Sequence, residues 1–134
     1  MGKIITKVKL WNILDEDRVA SGEVEPLEID ALVDTGVTWL TIPEEVAQAL
    51  SLRRGRKVKV RLADNTVIER DTAVGVRIEI QERDATLNAI INGHETTPLV
   101  GQVVLELLDL YPDPKGQVLK GRPESPDAPI IDLL

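Results

Sequence analysis

The sequence predicts a mainly β domain with one or two short helices. Two observations carry this. Apolar residues recur at every second position in several separate stretches, whereas helical spacing occurs in only two short ones. The stretches also follow one another without regular strand–helix alternation, which argues against a parallel α/β sheet. At 134 residues the chain suffices for one domain with a sizeable core and is too short for two. We place that domain at residues 1–120 and a Pro-rich, acidic tail, a candidate dimer contact, at 121–134.

Taken in order, Ile4, Ile5, Val8, Leu10 and Ile13 mark a first strand, and Asp15-Glu16-Asp17 and Ser21-Gly22 mark a turn. Leu27, Ile29, Ala31 and Val33 alternate with Glu28, Asp30 and Leu32, the signature of a strand with one buried face, and this strand runs into Asp34-Thr35-Gly36. Val37 to Ile42 reads as the next strand. Pro43, Glu44 and Glu45 then open a short helix, because proline suits a first helical turn and the helix dipole favours acids there. Val58, Val60 and Leu62 alternate with Lys57, Lys59 and Arg61. Ala63-Asp64-Asn65 turns the chain and Thr66-Val67-Ile68 returns it, giving a hairpin. Val74 to Ile80 and Ala85 to Ile91 are further strands. Pro98 to Leu110 carries apolar residues at helical spacing, Tyr111 to Gly116 reads as a turn, and Gln117 to Leu119 as a short strand. There is an internal echo: Ala31-Leu32-Val33-Asp34-Thr35-Gly36 is spelled like Ala89-Ile90-Ile91-Asn92-Gly93, and each is followed by a proline and a helix-like segment.

Composition narrows the function classes. Two Trp, one Tyr and no Phe leave a core of Val, Ile, Leu and Ala, and offer few rings for stacking bases. The net charge of −7 opposes a polyanionic partner, so no nucleic acid is expected. The basic run Arg53, Arg54, Arg56, Lys57, Lys59 and Arg61 reads as a solvated strand edge, where lysines discourage edge pairing. Without cysteine there is no disulfide scaffold and no thiolate chemistry. The single histidine, His94, falls in a loop without clustered partners, so neither a metal nor a cofactor is expected. No apolar run is long enough to span a membrane, and MGKIITKVKL lacks a signal-peptide core; these point to a cytoplasmic protein.

Asp-Thr-Gly after an apolar strand is chemically pointed. Gly36 allows close backbone approach and can aim its N–H at a carboxylate, Thr35 offers a hydroxyl, and Trp39 lowers the local dielectric. The same letters also fit a plain strand-ending turn. Asp34-x-Gly36-x-Thr38 spells a phosphate loop of sugar kinases and actin-like ATPases, but those need two α/β domains. The haloacid-dehalogenase pattern needs a second Asp where Gly36 stands.

The run from Ala31 to Pro43 resembles the catalytic strand–loop–strand of retropepsin-like (retroviral-type) aspartic proteases. Lys57 to Ile68 is similar to that family's flap, and Pro98-Leu99-Val100-Gly101 to the segment before its C-terminal helix. The likeness covers about residues 24–120. It departs at Val37, where Ala is usual, at Gln102-Val103, and at a flap tip without glycines. The resemblance implies a dimeric acid-protease β-barrel subunit and an aspartic endopeptidase acting on extended polypeptide, with one Asp34 from each subunit of a homodimer. It implies loop support by Thr35, Gly36 and Thr38, and substrate contacts from Leu62, Ala63, Asp64, Asn65 and Thr66. His94 would lie in a loop near substrate. A catalytically inactive dimeric peptide-binding or assembly module on the same fold is the alternative.

Overall fold

The structure, a computed structural model, describes residues 3–133. Its elements are β1 (Ile4–Asn12), a 3-10 turn (Ile13–Asp15), α1 (Glu16–Ala20), β2 (Leu27–Val33), β3 (Leu40–Pro43), α2 (Glu44–Ala49) and β4 (Arg53–Arg54). There follow β5 (Val58–Arg61), β6 (Val67–Arg70), β7 (Thr72–Ile80), β8 (Arg83–Asn92), β9 (Leu99–Val100), α3 (Gln102–Leu108), β10 (Leu110–Asp113) and β11 (Val118–Gly121).

Six strands close into a barrel. β1 pairs antiparallel with β2, β2 parallel with β9, and β9 antiparallel with β3. β3 then pairs parallel with β8, β8 antiparallel with β7, and β7 antiparallel with β1, which completes the ring. Closure removes the open edges that a flat sheet would leave. The turn of direction in β7 comes at a bulge between Ala73 and Val76, where Gly75 adopts φ +73 and a side chain would collide with Ile13. Beyond the bulge, Ala73 and Val74 pair with β4 instead of β1.

The barrel is filled by aliphatic side chains, as the scarcity of aromatics requires. Val8, Leu10, Leu40, Ile42, Val76, Ile78, Ala89 and Val100 are sealed from solvent, and Val104, Leu105 and Leu108 of α3 close one side. The period-two reading of β2 holds: Glu28 and Asp30 face solvent while Ala31 is buried, and Lys7 of β1 spans both acids at 3.9 and 3.5 Å.

The internal echo is a real architectural repeat. β1–β2–loop–β3–α2 and β7–β8–loop–β9–α3 are the same succession, and the two parallel pairs cross over, β2 with β9 and β3 with β8. Several local expectations are corrected. Asp15-Glu16-Asp17 lies in helical turns, where acids at a helix start are favoured and Asn12 Oδ1 accepts the Leu14 N–H at 2.9 Å. The strand expected over Val37–Ile42 begins only at Leu40. The helix expected over Pro98–Leu110 begins only at Gln102, because Leu99 and Val100 are extended between β2 and β3 and Pro98 O accepts the Leu32 N–H at 2.9 Å. Tyr111-Pro112-Asp113 is a strand, β10, paired with β11. Among the described residues there are three α-helices, all short, where one or two were expected.

Gly101 is where β9 turns into α3. Its backbone is ordinary (φ −92, ψ −177), so conformational freedom is not the reason for glycine here. Space is: a Cβ would lie within 3.0 Å of backbone atoms of Val37, Thr38 and Trp39. Gly93, by contrast, would meet nothing nearer than 3.9 Å. Gly101→Ala is therefore expected to cost about 1–3 kcal/mol, the range for forcing atoms into a filled core. Gly93→Ala should be close to neutral. Urea midpoints of the two variants, read side by side, check this.

Candidate active site

Asp34 follows the last residue of β2, on a loop held by four backbone–backbone hydrogen bonds and one from backbone to carboxylate. Asp34 N–H donates to Val100 O at 3.0 Å, and Val37 N–H to Asp34 O at 3.1 Å. From the other side Gln102 N–H donates to Val37 O at 2.8 Å and Val103 N–H to Thr38 O at 2.9 Å. Gly36 N–H donates to Asp34 Oδ1 at 3.0 Å, and a side chain at Gly36 would press on that same oxygen at 3.2 Å. The glycine of the motif thus orients one carboxylate oxygen through a backbone donor, while the other has no hydrogen-bond partner among the described residues. This also explains why Val37 and Thr38 are not strand residues: their carbonyls serve the first N–H groups of α3, which have no partners inside the helix.

Of the loop residues singled out in the sequence, Asp34 is half-buried, and Thr35, Gly36 and Thr38 are exposed. Thr38 supports the loop through its carbonyl. Trp39 is half-buried. Sequence reasoning passed over Val100 and Gly101 as loop supports. The available signal was a glycine interrupting an otherwise apolar run.

Leu62, Ala63, Asp64, Asn65 and Thr66 lie at the tip of a separate hairpin, β5–β6, which pairs with no barrel strand. Leu62 N–H donates to Thr66 O at 2.8 Å and Asn65 N–H to Leu62 O at 2.9 Å, with Asn65 in the left-handed region at φ +68. Asp64 Oδ1 accepts the Thr66 N–H at 2.9 Å, and the Thr66 hydrogen bonds hold the Asp64 carboxyl below its usual range. The exposed basic run expected here is found: Arg53, Arg54, Arg56, Lys57, Lys59 and Arg61 all face solvent.

The hairpin is tied down at its base. Thr72 Oγ1 donates to Arg56 O at 2.8 Å, Arg70 Nε to Asn92 Oδ1 at 3.2 Å, and Lys57 pairs with Asp71 at 3.1 Å. Arg54 pairs with Glu44 and, at 3.5 Å, with Asp71; the Arg54 hydrogen bond keeps the Glu44 carboxyl below its usual range. Of these, Glu44, Lys57, Arg70, Asp71 and Asn92 border an open cleft of about 350 Å³ that also meets Glu69, Ile91, Gly93 and His94. His94 is 65% exposed, with Nδ1 3.5 Å from Glu45. Among the described residues no three or more potential ligands cluster as a metal site, and no helix is long and apolar enough to cross a membrane.

A family model described as "gag-polyprotein putative aspartyl protease" matches residues 20–106, more than half of the chain. The chain belongs to the retropepsin-like aspartyl proteases. The matched span contains the Asp34 loop, the β5–β6 hairpin, Gly101 and five of the six barrel strands; β1 lies before it. No curated protein matches the chain.

Outside the barrel, the β5–β6 hairpin has two strands, an exposed tip and mostly ionic anchors at the surface, which are individually weak. Such segments open far more readily than core strands. Amide exchange at Leu62 to Val67 should therefore be at least about 100-fold faster than at Val76 to Ile80 of β7. Equal protection of the two would show the hairpin to be as firmly built as the barrel.

Proposed function

We propose that the chain is an aspartic endopeptidase that works as a homodimer, with Asp34 of each subunit activating one water between them. The observation that supports this most is the Asp34 loop itself. It carries a carboxylate at a strand end, steered by Gly36 N–H and fixed from behind by Val100, Gln102 and Val103. Family membership gives the reaction class. The second half of the barrel repeats the architecture but carries Asn92 where the first carries Asp34, and an amide cannot ionise. A second carboxylate then has to come from a second copy.

In that dimer the two Asp34 groups share one proton, as paired carboxylates in this class do. The ionised member takes a proton from the water, whose oxygen attacks the peptide carbonyl. The protonated member donates to the carbonyl oxygen, giving a neutral tetrahedral diol. Collapse returns a proton to the nitrogen, breaks the C–N bond and restores the shared-proton pair. Thr35, Gly36 and Thr38 keep the loops rigid. Leu62 to Thr66 cover an extended polypeptide, with backbone groups available for strand-like bonding. Ile130, Ile131 and Leu133, exposed at 55, 75 and 98%, are the tail's apolar contribution to the partner subunit.

Asp34→Asn should leave the fold intact and lower kcat/KM on a denatured protein by at least about 100-fold, the lower end of what acid–base groups contribute. Wild-type protein that binds extended peptide without cutting it would instead establish the peptide-binding module. The rate should be bell-shaped in pH with an acidic optimum, since one carboxylate must be ionised and the other not. A rate still climbing at pH 9 would exclude the shared-proton pair. Sedimentation at micromolar concentration should report a dimer, and a monomer that still cleaves would overturn the two-fold arrangement. With a bound peptide mimic, exchange at Leu62 to Val67 should slow.

A further inference from the structure

The segment after β11 has no helix or strand, yet Ser125 is only 2% exposed. Two buried charged residues far apart in sequence account for this. Arg83, the first residue of β8, is 4% exposed and donates to Leu108 O at 3.0 Å, Asp109 O at 2.9 Å, and Ser125 O. Asp109, just past α3, is 8% exposed. Its carboxylate accepts the Ser125 hydroxyl, the Ile130 N–H at 3.1 Å, and Arg122 Nε at 3.1 Å. Gly121 completes the cradle, since a side chain there would run into the Arg83 guanidinium.

Local preference does not explain Asp109. It sits at φ +55, a conformation glycine takes more easily, and at the helix end where the dipole disfavours a negative charge. What it gains is the tail. We propose that Arg83, Asp109 and Gly121 form a binding site for a peptide that turns at Arg122–Ser125, occupied by the chain's own segment 122–130, and that acid opens it. The ligand chemistry is specific: a serine hydroxyl and carbonyl, an arginine three residues before, and a backbone N–H five residues after. Closed, the site fixes where Ile130 and the residues beyond it leave the domain.

The pH sense follows from the geometry. The carboxylate takes three donors and offers none, so protonation breaks the Arg122 ion pair and sets a hydrogen against a donor. The charged groups facing it are Arg122 from the tail and Arg83 from β8; from α3 the Glu106 and Leu105 carbonyls accept the Asp109 backbone N–H. The Ser125 hydroxyl first, then the Ile130 N–H, hold its carboxyl below the usual range while the site is closed. A depressed carboxylate stabilises the closed form above the open-form pKa of about 4 and loses that contribution as pH falls through the closed-form value. The segment is thus held at neutrality and released in acid.

The test uses full-length protein and the protection of the Ile130 amide by NMR hydrogen exchange, each rate divided by that of an unstructured peptide at the same pH. Wild type at pH 7 should show protection of about tenfold or more, the least expected for a charge-assisted bond. It should fall toward one at pH 3. Asp109→Asn should show that loss already at pH 7, and Ser125→Ala a partial one. Circular dichroism reports whether Asp109→Asn is folded. If it folds and Ile130 stays as protected as in wild type, the proposal is wrong. If it does not fold, Ser125→Ala decides, and unchanged protection there overturns the proposal equally.

Discussion

The contact between Gly101 and the Asp34 loop is the constraint from which the rest follows. β9 has only two residues, yet it joins β2 to β3 and so closes one seam of the barrel. So short a strand holds little by its own ladder. It is held because the chain immediately after it lies backbone to backbone against Val37, Thr38 and Trp39, too close for any Cβ. The same approach delivers Gln102 and Val103 N–H groups to the loop carbonyls. Barrel closure and loop geometry are therefore one packing event. A change that loosens either loosens both.

The two-fold repeat inside the chain shows what was kept and what differs between the halves. Each half ends a long strand in a polar residue, Asp34 or Asn92, whose side-chain oxygen accepts a backbone N–H from a nearby glycine, Gly36 or Gly93. The second half's oxygen is also engaged by Arg70 of the hairpin. So the Asn92 loop serves the hairpin's base, while one Asp34 oxygen has no hydrogen-bond partner among the described residues. Under the proposed function this division of labour is why the chemistry falls to one half.

Much of this was legible in the sequence because half-buried strands write their geometry as period two. β1, β2, β5, β7 and β8 are all visible that way, as is Asp34 at a strand end. What failed to read had one of three physical causes. Leu99 and Val100 make a strand of two residues, too short to show alternation, and the apolar run into α3 disguises them as helix. Val37 and Thr38 are β-branched and look like strand, but their carbonyls are claimed by a helix start that sequence does not place nearby. The tail looked merely Pro-rich and acidic. Its hold depends on Arg83, which is 42 residues from Ser125, and such pairing has no local signature.

The Asp34 loop and the β5–β6 hairpin are held by different kinds of force. Behind the loop are backbone hydrogen bonds and a filled aliphatic core, with Val100 and Val104 sealed from solvent. The hairpin has its own ladder and a set of exposed ion pairs around Asp71 and Glu44. Salt screens the second set and leaves the first nearly untouched. The Asp34 loop is thus the firmly fixed element and the hairpin the one that ionic contacts hold. This also means that ionic strength acts on the hairpin's base before it acts on the Asp34 loop, whose backbone hydrogen bonds salt does not screen.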